Sequence, residues 1–187
     1  SDLRTTITPQ PDSPGLALPS WDTAQLAAGT RTYRIHTKNL KSARVRVKLL
    51  SSEDALRTLR AYAAVKPAGQ DDRRGKPKAE ELAAEGSLPW SLVPGKTILD
   101  RTWTFEGRLD VSCPIVLNWS ELLGGPKTPG VLFVSTDGEP LASAVDSEDD
   151  GKRRLAQALV QLTDIGLSWK LNTAEPLLYA FSLESGE

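Results

Sequence analysis

Apolar and polar residues alternate in two segments of the first third of the chain, residues 32–37 and 43–50. In the second segment every other residue is apolar, and arginine or lysine fills the positions between. This period of two is typical of β-strands with one buried face and one face in water. The polar connection at residues 39–42 is compatible with a hairpin or with a loop that crosses between sheets.

The period changes to that of a helix after residue 50. Ser51 can cap this helix together with Asp54, and Leu56, Leu59 and Ala63 then recur at helical spacing with arginines outside them. The pattern predicts one short amphipathic helix between strands, packed through these apolar residues.

Six further strands follow from the pattern, over residues 97–105, 108–113, 130–136, 154–163, 167–171 and 177–183, with a weaker one at 140–144. Residues 117–123 predict a helical turn closed by Gly124, and Asp137 followed by Gly138 is a strong hairpin-turn signal. About seven to nine short strands without a βαβ rhythm favour a mainly β fold, an antiparallel β-sandwich with one inserted helix.

Two segments do not fit a packed sandwich. Residues 1–20 carry four prolines, which remove backbone donors, and they predict an extended arm or linker. Residues 66–90 begin with a polar run of mixed charge that cannot offset its ordering entropy, and they predict a mobile insertion. The sandwich itself is expected over residues 21–165.

Composition narrows the classes of function. Lys plus Arg is 23 and Asp plus Glu is 24, and this balance argues against a dedicated nucleic-acid binder. One cysteine excludes a disulfide framework within the chain, and one histidine excludes a zinc site built on several histidines. No apolar run reaches the roughly 20 residues of a membrane span. The absence of methionine leads us to expect a processed or partial chain.

His36 and Cys113 are the residues on which a nucleophilic mechanism would depend. His36 falls on the charged side of its strand, and no nucleophile motif accompanies it. Cys113 lies at a predicted strand end, where a lone cysteine is more often a small buried apolar residue than a reactive thiol. We therefore predict no catalytic residue.

Two other patterns suggest ligands. Asp146, Glu148 and Asp150 before Gly151 imitate half of an EF-hand loop, but the twelfth position is the neutral Gln157, so a solvated acidic turn is favoured over calcium. A basic stripe is formed by Arg44, Arg46 and Lys48, with Lys38 and Lys41 nearby. No interleaved aromatic platform accompanies it, which favours a solvent-facing surface or a contact with an acidic neighbouring domain over phosphate binding. No cofactor or metal site is predicted.

Asn118 begins a glycosylation sequon that matters only in a eukaryotic secretory pathway. The tryptophans at positions 103, 119 and 169 are expected to fill the core or an interface, because large aromatic side chains dominate burial in small sandwiches.

The end of the chain resembles a segment of the bacterial α2-macroglobulins. Residues 160–167 read VQLTDIGL and residues 177–186 read LLYAFSLESG, like a strand, a junction and a strand pair of that family. Residues 33–50, the helix after Ser51 and Trp103 are similar too. The most specific part of the likeness is residues 164–167.

This resemblance implies a macroglobulin-like, fibronectin-type sandwich, with residues 166–187 opening the next domain or folding back on the first. The family traps proteases after a bait region is cleaved, often with a thioester of the form Cys-x-Glu-Gln. Cys113 precedes Pro114, Ile115 and Val116, so it is not that cysteine.

The function expected from this resemblance is that of a non-catalytic structural module of a bacterial protease-trapping protein. Its partners would be neighbouring macroglobulin domains and, through the full-length protein, target proteases. The fragment is expected to be a monomer, and the family places it in the periplasm, often tethered to the inner membrane. The alternative is an independent binding or adhesion module of the cell envelope. A structural module should show apolar patches at its two ends.

Overall fold

A computed structural model describes residues 10–19, 24–65, 87–145, 153–170 and 177–187. Its strands are β1 (Gly15–Ala17), β2 (Ala24–Leu26), β3 (Thr32–Lys38), β4 (Leu40–Leu50), β5 (Lys96–Thr104), β6 (Ile115–Asn118), β7 (Gly130–Pro140), β8 (Arg154–Thr163), β9 (Ile165–Lys170) and β10 (Leu177–Ser182). Its helices are α1 (Ser52–Val65) and α2 (Trp119–Leu123), with single 3₁₀ turns at Trp90–Leu92 and Ala142–Ala144. The acidic residues 146–151, the core of the predicted insertion and the start of the predicted arm lie outside these ranges.

The strands form two stacked sheets and a separate pair. One sheet has the order β1-β3-β6, the other has the order β2-β8-β7-β4-β5, and β9 pairs with β10 alone. Neighbours in both sheets are antiparallel except β2, which runs parallel to β8. The expected mainly β sandwich with one inserted helix is confirmed. β1 lies within the range predicted as an arm, where it pairs with β3.

The core between the sheets is built by the inward face of each alternating strand. Val45 and Val47 of β4 meet Ile35 of β3, and all three are fully buried. Trp119 is fully buried beside Tyr33, with the two ring centroids 5.3 Å apart. Burying such side chains stabilises the fold by roughly 2 kcal/mol each. Trp119 is therefore core, as predicted, and Trp103 packs at the edge of the same core.

Asn39 moves the chain from one sheet to the other. Its φ of 53° turns the backbone sharply, and β3 and β4 on either side belong to different sheets. The Asn39 side chain donates to the Asp12 carbonyl at 2.6 Å and to Asp110 Oδ1 at 2.9 Å, and it accepts from the Asp110 amide at 2.6 Å. The connection at residues 39–42 is thus a crossing, not a hairpin.

Three local predictions are wrong. The weaker strand predicted at residues 140–144 is absent, because β7 ends at Pro140 and Ala142–Ala144 is a 3₁₀ turn. Residues 108–113 form only an isolated bridge between Ser112 and Lys38, since positive φ at Asp110 turns the backbone there. The turn predicted at Asp137 and Gly138 is also absent, because β7 continues through both residues and pairs with β4 and β8. A Cβ on Gly138 would lie 2.8 Å from Leu40 Cδ1, so this glycine serves close packing.

Helix α1 packs through a different face from the predicted one. Leu56 and Leu59 are 58% and 47% exposed, whereas Thr58 is buried and Ala55 packs against the second apolar cluster. Ser51 does cap the helix, because its hydroxyl accepts from the Asp54 amide at 3.1 Å. The small residues allow the helix to lie close to its support, and the leucines remain at the surface.

A segment after the helix covers the outer face of the larger sheet. We call residues 87–94 the strap. Gln157 of β8 bonds both backbone groups of Leu88, at 2.8 Å and 2.7 Å, and Lys48 of β4 donates to the carbonyls of Trp90 and Val93. Beneath the strap, Phe133 of β7 is fully buried in the second cluster. The middle of this sheet is therefore buried on both faces.

Candidate docking surfaces at the two ends of the sandwich

One end of the sandwich carries a ribbon made by β9 and β10. The two strands pair along their full length, from Ile165 opposite Ser182 to Lys170 opposite Leu177. Five of its large apolar residues are exposed, namely Ile165, Leu167, Leu177, Leu178 and Tyr179, and so is Leu183 directly after β10. The register places Ile165, Leu167 and Leu178 on one face of the ribbon and Leu177 and Tyr179 on the other. A single two-stranded ribbon is marginal in water, and exposed apolar patches usually mark interaction sites. This ribbon is the strongest candidate docking surface in the described residues.

The ribbon is uncharged along most of its length. Residues that face each other across an antiparallel pair share one side, so Leu167 and Leu178 lie on the same face, at diagonal positions. On the other face the Phe181 ring covers Gly166, where a Cβ would come within 2.6 Å of the ring. Lys170 at the far end is the one charged residue within its two strands. Such a surface suits an apolar partner and offers little to a nucleic acid or an anion.

The opposite end holds an apolar cavity beside Asn39, where the chain crosses between the sheets. We call it the distal cavity. The ends are opposite because β8 reaches Thr163 near Gly130, whereas Leu40 pairs with Pro140 at the far end of β7. The cavity has a volume of about 250 Å³, and Leu40, Phe105, Val111 and Cys113 are among its lining residues. Val111 and the neighbouring Leu109 are exposed. The described part of the chain therefore has apolar patches at both ends.

His36 and Cys113 do not come together in a catalytic arrangement. His36 is exposed on β3, opposite Ala17 of β1. Cys113 is a free, half-buried thiol whose backbone amide donates to the Thr37 carbonyl at 2.9 Å. Its role in the structure is to help line the distal cavity.

The basic stripe differs from the predicted solvent-facing surface. Arg44 makes two bonds with Asp100, at 2.8 Å and 2.7 Å, and this pairing lowers the pKa of the Asp100 carboxyl. Lys48 is only 9% exposed, and both Lys48 and Arg46 lie over the Trp90 ring, at 4.6 Å and 4.7 Å from its centroid. Burial is the main cause that lowers the pKa of Lys48. Trp90 is thus an aromatic platform that the sequence pattern did not indicate. It buries Lys48 and partly covers Arg46, whereas Arg44 stays exposed as predicted.

The remaining candidates have structural roles or lie outside the described residues. Asn118 caps α2, since its side-chain oxygen accepts from the Ser120 amide at 2.9 Å. Gln157 holds the strap, while the acidic residues that precede it are not described. Among the described residues, no group of three or more His, Cys, Asp or Glu side chains is arranged to hold a metal ion. In the same residues no helix is long and apolar enough to cross a membrane.

Comparison with known proteins supports the architecture through structure and not through sequence. No family model matches the chain, and no curated protein matches it. A crystal structure of native α2-macroglobulin from Escherichia coli spanning domains NIE-MG1 is similar with a TM-score of 0.53 and 12% identity, over 93% of this chain and 72% of that one. A second, spanning domains MG0-NIE-MG1, is similar with a TM-score of 0.54 and 15% identity, over 97% of this chain and 49% of that one.

At such low identity the likeness concerns the fold alone. Both solved structures span several domains of one polypeptide, and this chain matches most of one and about half of the other. The resemblance to bacterial α2-macroglobulins seen in residues 33–50 and 160–186 is therefore confirmed at the level of structure. The chain has the architecture of a macroglobulin-like module.

Proposed function

We propose that this chain is a non-catalytic structural module of a bacterial, α2-macroglobulin-like protein that traps proteases in the periplasm. Its work is to pack against neighbouring domains of the same polypeptide through the two ends of its sandwich. The observation that carries the proposal is the apolar ribbon, because a soluble module gains nothing from six exposed large apolar residues unless another surface covers them. The structural likeness to multidomain α2-macroglobulin fragments supports the kind of partner.

In this proposal the ribbon opens the next domain, and the sandwich proper ends near residue 165. The distal cavity receives an apolar side chain from the domain on the other side. Neither end places a nucleophile, a base and an oxyanion donor together within the described residues, so the proposed module acts by position and not by chemistry.

The test uses the whole protein that contains this chain. It is incubated with a general endopeptidase, and the cleavage of a large protein substrate and of a small chromogenic peptide is measured. Trapping predicts that cleavage of the large substrate is lost while cleavage of the small one is retained, because a caged protease still admits small molecules. A protease that keeps both activities, or loses both equally, contradicts the proposal.

A matched control separates docking from misfolding. The double variant Leu167→Asp with Leu178→Lys in the whole protein is expected to lose trapping, because it places charges in the proposed domain contact. The single variant Leu92→Lys changes an exposed leucine of the strap, on the outer face of the larger sheet, and is expected to trap normally.

A further inference from the structure

The base of the ribbon is closed by several hydrogen bonds around the residue that connects it to the sandwich. Asp164 is the single residue between β8 and β9, and it receives three hydrogen bonds from the far side of the ribbon. Its Oδ2 accepts from Ser182 Oγ at 2.8 Å, its Oδ1 accepts from the Glu184 amide at 2.8 Å, and its carbonyl accepts from the Leu183 amide at 2.6 Å. The carboxylate thus joins the start of β9 to the end of β10.

Two further contacts fix the ribbon to the sandwich. Thr163, the last residue of β8, is buried, and its hydroxyl oxygen accepts a hydrogen bond from the Ile165 amide at 2.9 Å. Glu184 forms an ion pair with Lys127 from the loop after α2, and this pairing raises the pKa of Lys127. Asp164 is the only residue of the connection, and the residues on either side of it belong to β8 and β9.

We infer that the ribbon is a fixed arm whose direction is set at its base, where Asp164 holds Glu184 in place to pair with Lys127 of the sandwich, and not a flexible linker that finds its direction on docking. A charged acceptor with two donors holds its partners more firmly than neutral pairs do. The partner that covers the ribbon then meets a surface already in place, which reduces the ordering cost of association. This inference concerns how the arm is held, so it does not depend on the proposed protease trap.

The experiment detects the direction of the ribbon relative to the sandwich through the distance between two spin labels. In the background Cys113→Ser, spin labels are placed at Ser168→Cys on the ribbon and at Thr102→Cys on β5, both at exposed positions. Pulsed electron paramagnetic resonance spectroscopy then gives the distribution of distances between the labels in this chain. We expect one narrow peak, and we expect Asp164→Ala to spread it into a broad distribution. Amide exchange at Glu184 should accelerate at least about tenfold in the same variant.

Two other variants keep the result interpretable. Ser182→Ala removes one bond to Asp164, together with the longer bonds that the Ser182 hydroxyl accepts from the Glu184 and Ser185 amides, and should broaden the distribution less than Asp164→Ala does. Glu53→Ala breaks an exposed ion pair with Arg57 within α1 and removes none of the bonds at the base of the ribbon, so it should leave the distribution unchanged. A broad distribution in the parent, or a narrow one that survives Asp164→Ala, overturns the fixed arm. A fixed arm in a protein that traps no protease would remove only the proposed function.

Discussion

Gly95 shows how one residue can be required by its surroundings. It precedes β5 with a φ of +102°, a conformation that side chains rarely adopt. A Cβ there would lie 2.6 Å from the Leu49 carbonyl oxygen and 2.7 Å from Leu50 Cδ2. Backbone strain and a clash with backbone therefore act together at this position.

We expect Gly95→Ala to lower the free energy of unfolding by about 2–4 kcal/mol, because neither cause can relax without moving β4. The matched control is Gly124→Ala, with a φ of +72° and no atom within 4 Å of the added Cβ. It should cost about 1 kcal/mol from backbone strain alone. Denaturant unfolding followed by tryptophan fluorescence measures both, and equal losses would show that the clash is relieved.

At this scale the role of a glycine could be predicted from the sequence where it depends on neighbouring residues in the chain. Gly124 ends α2 in the left-handed conformation, as its place after an apolar turn predicts. Gly138 could not be interpreted in the same way, because its role depends on Leu40, a residue that is distant in sequence. Asp137 followed by Gly138 has the composition of a turn, and only the sheet shows that it is the middle of a strand.

At the scale of elements, the strap is the least regular part of the fold and one of its most closely bonded. The Gln157 side chain accepts a hydrogen bond from the Leu88 amide and donates one to the Leu88 carbonyl, as the backbone of a neighbouring strand would. Lys48 donates to the carbonyls of Trp90 and Val93, and its ammonium nitrogen lies over the Trp90 ring. The strap is held by side chains and not by a backbone ladder.

We expect Gln157→Leu to destabilise the fold by about 2–4 kcal/mol, because it leaves two backbone groups of Leu88 without their partner. Gln161→Leu is the control, since Gln161 is exposed on the same strand, and its effect should stay within about 0.5 kcal/mol. Thermal unfolding of each variant measures the change. Equal effects of the two substitutions would mean that the strap is held by apolar packing alone.

The strap also explains why the positions of the strands were predicted better than the exposure of their side chains. Alternation depends on neighbours in the chain, and it located β4 to within a few residues. Residues 154–163 fitted a strand or a helix by pattern, and their flanks and Val160 favoured the strand that the structure has there. The same alternation assigns Lys48 to water, because nothing in residues 43–50 shows that residues 87–94 return to cover it. The distal cavity is beyond prediction for the same reason, since its walls come from segments around residues 37–40, 104–108 and 111–113.

At the scale of the molecule, the ribbon and Leu183 after it carry six of the thirteen large apolar residues that are exposed in the described part of the chain. Leu167 and Leu178 are 67% and 64% exposed. We expect the variant Leu167→Asp with Leu178→Lys to reduce the binding of an apolar dye by roughly half in the isolated chain. Unfolding free energy should change by less than about 0.5 kcal/mol, because the substituted side chains are exposed.

Leu92→Lys is the control, since Leu92 is 75% exposed but lies on the strap. It should leave dye binding nearly unchanged. If Leu92→Lys removes as much dye binding as the double variant, the apolar surface is spread over the molecule and the ribbon is not a distinct docking site.

The pairing of β2 with β8 has a consequence for synthesis on the ribosome. Ala24 of β2 lies opposite Gln161 of β8, so the edge of the larger sheet joins residues that are far apart in the sequence. β8 also separates β2 from β7, so β2 has no place in the sheet until β8 has emerged. β2 must therefore wait until the segments from β3 to β8 have been made before it finds its partner. Such late closure slows folding and leaves apolar segments accessible to chaperones in the meantime.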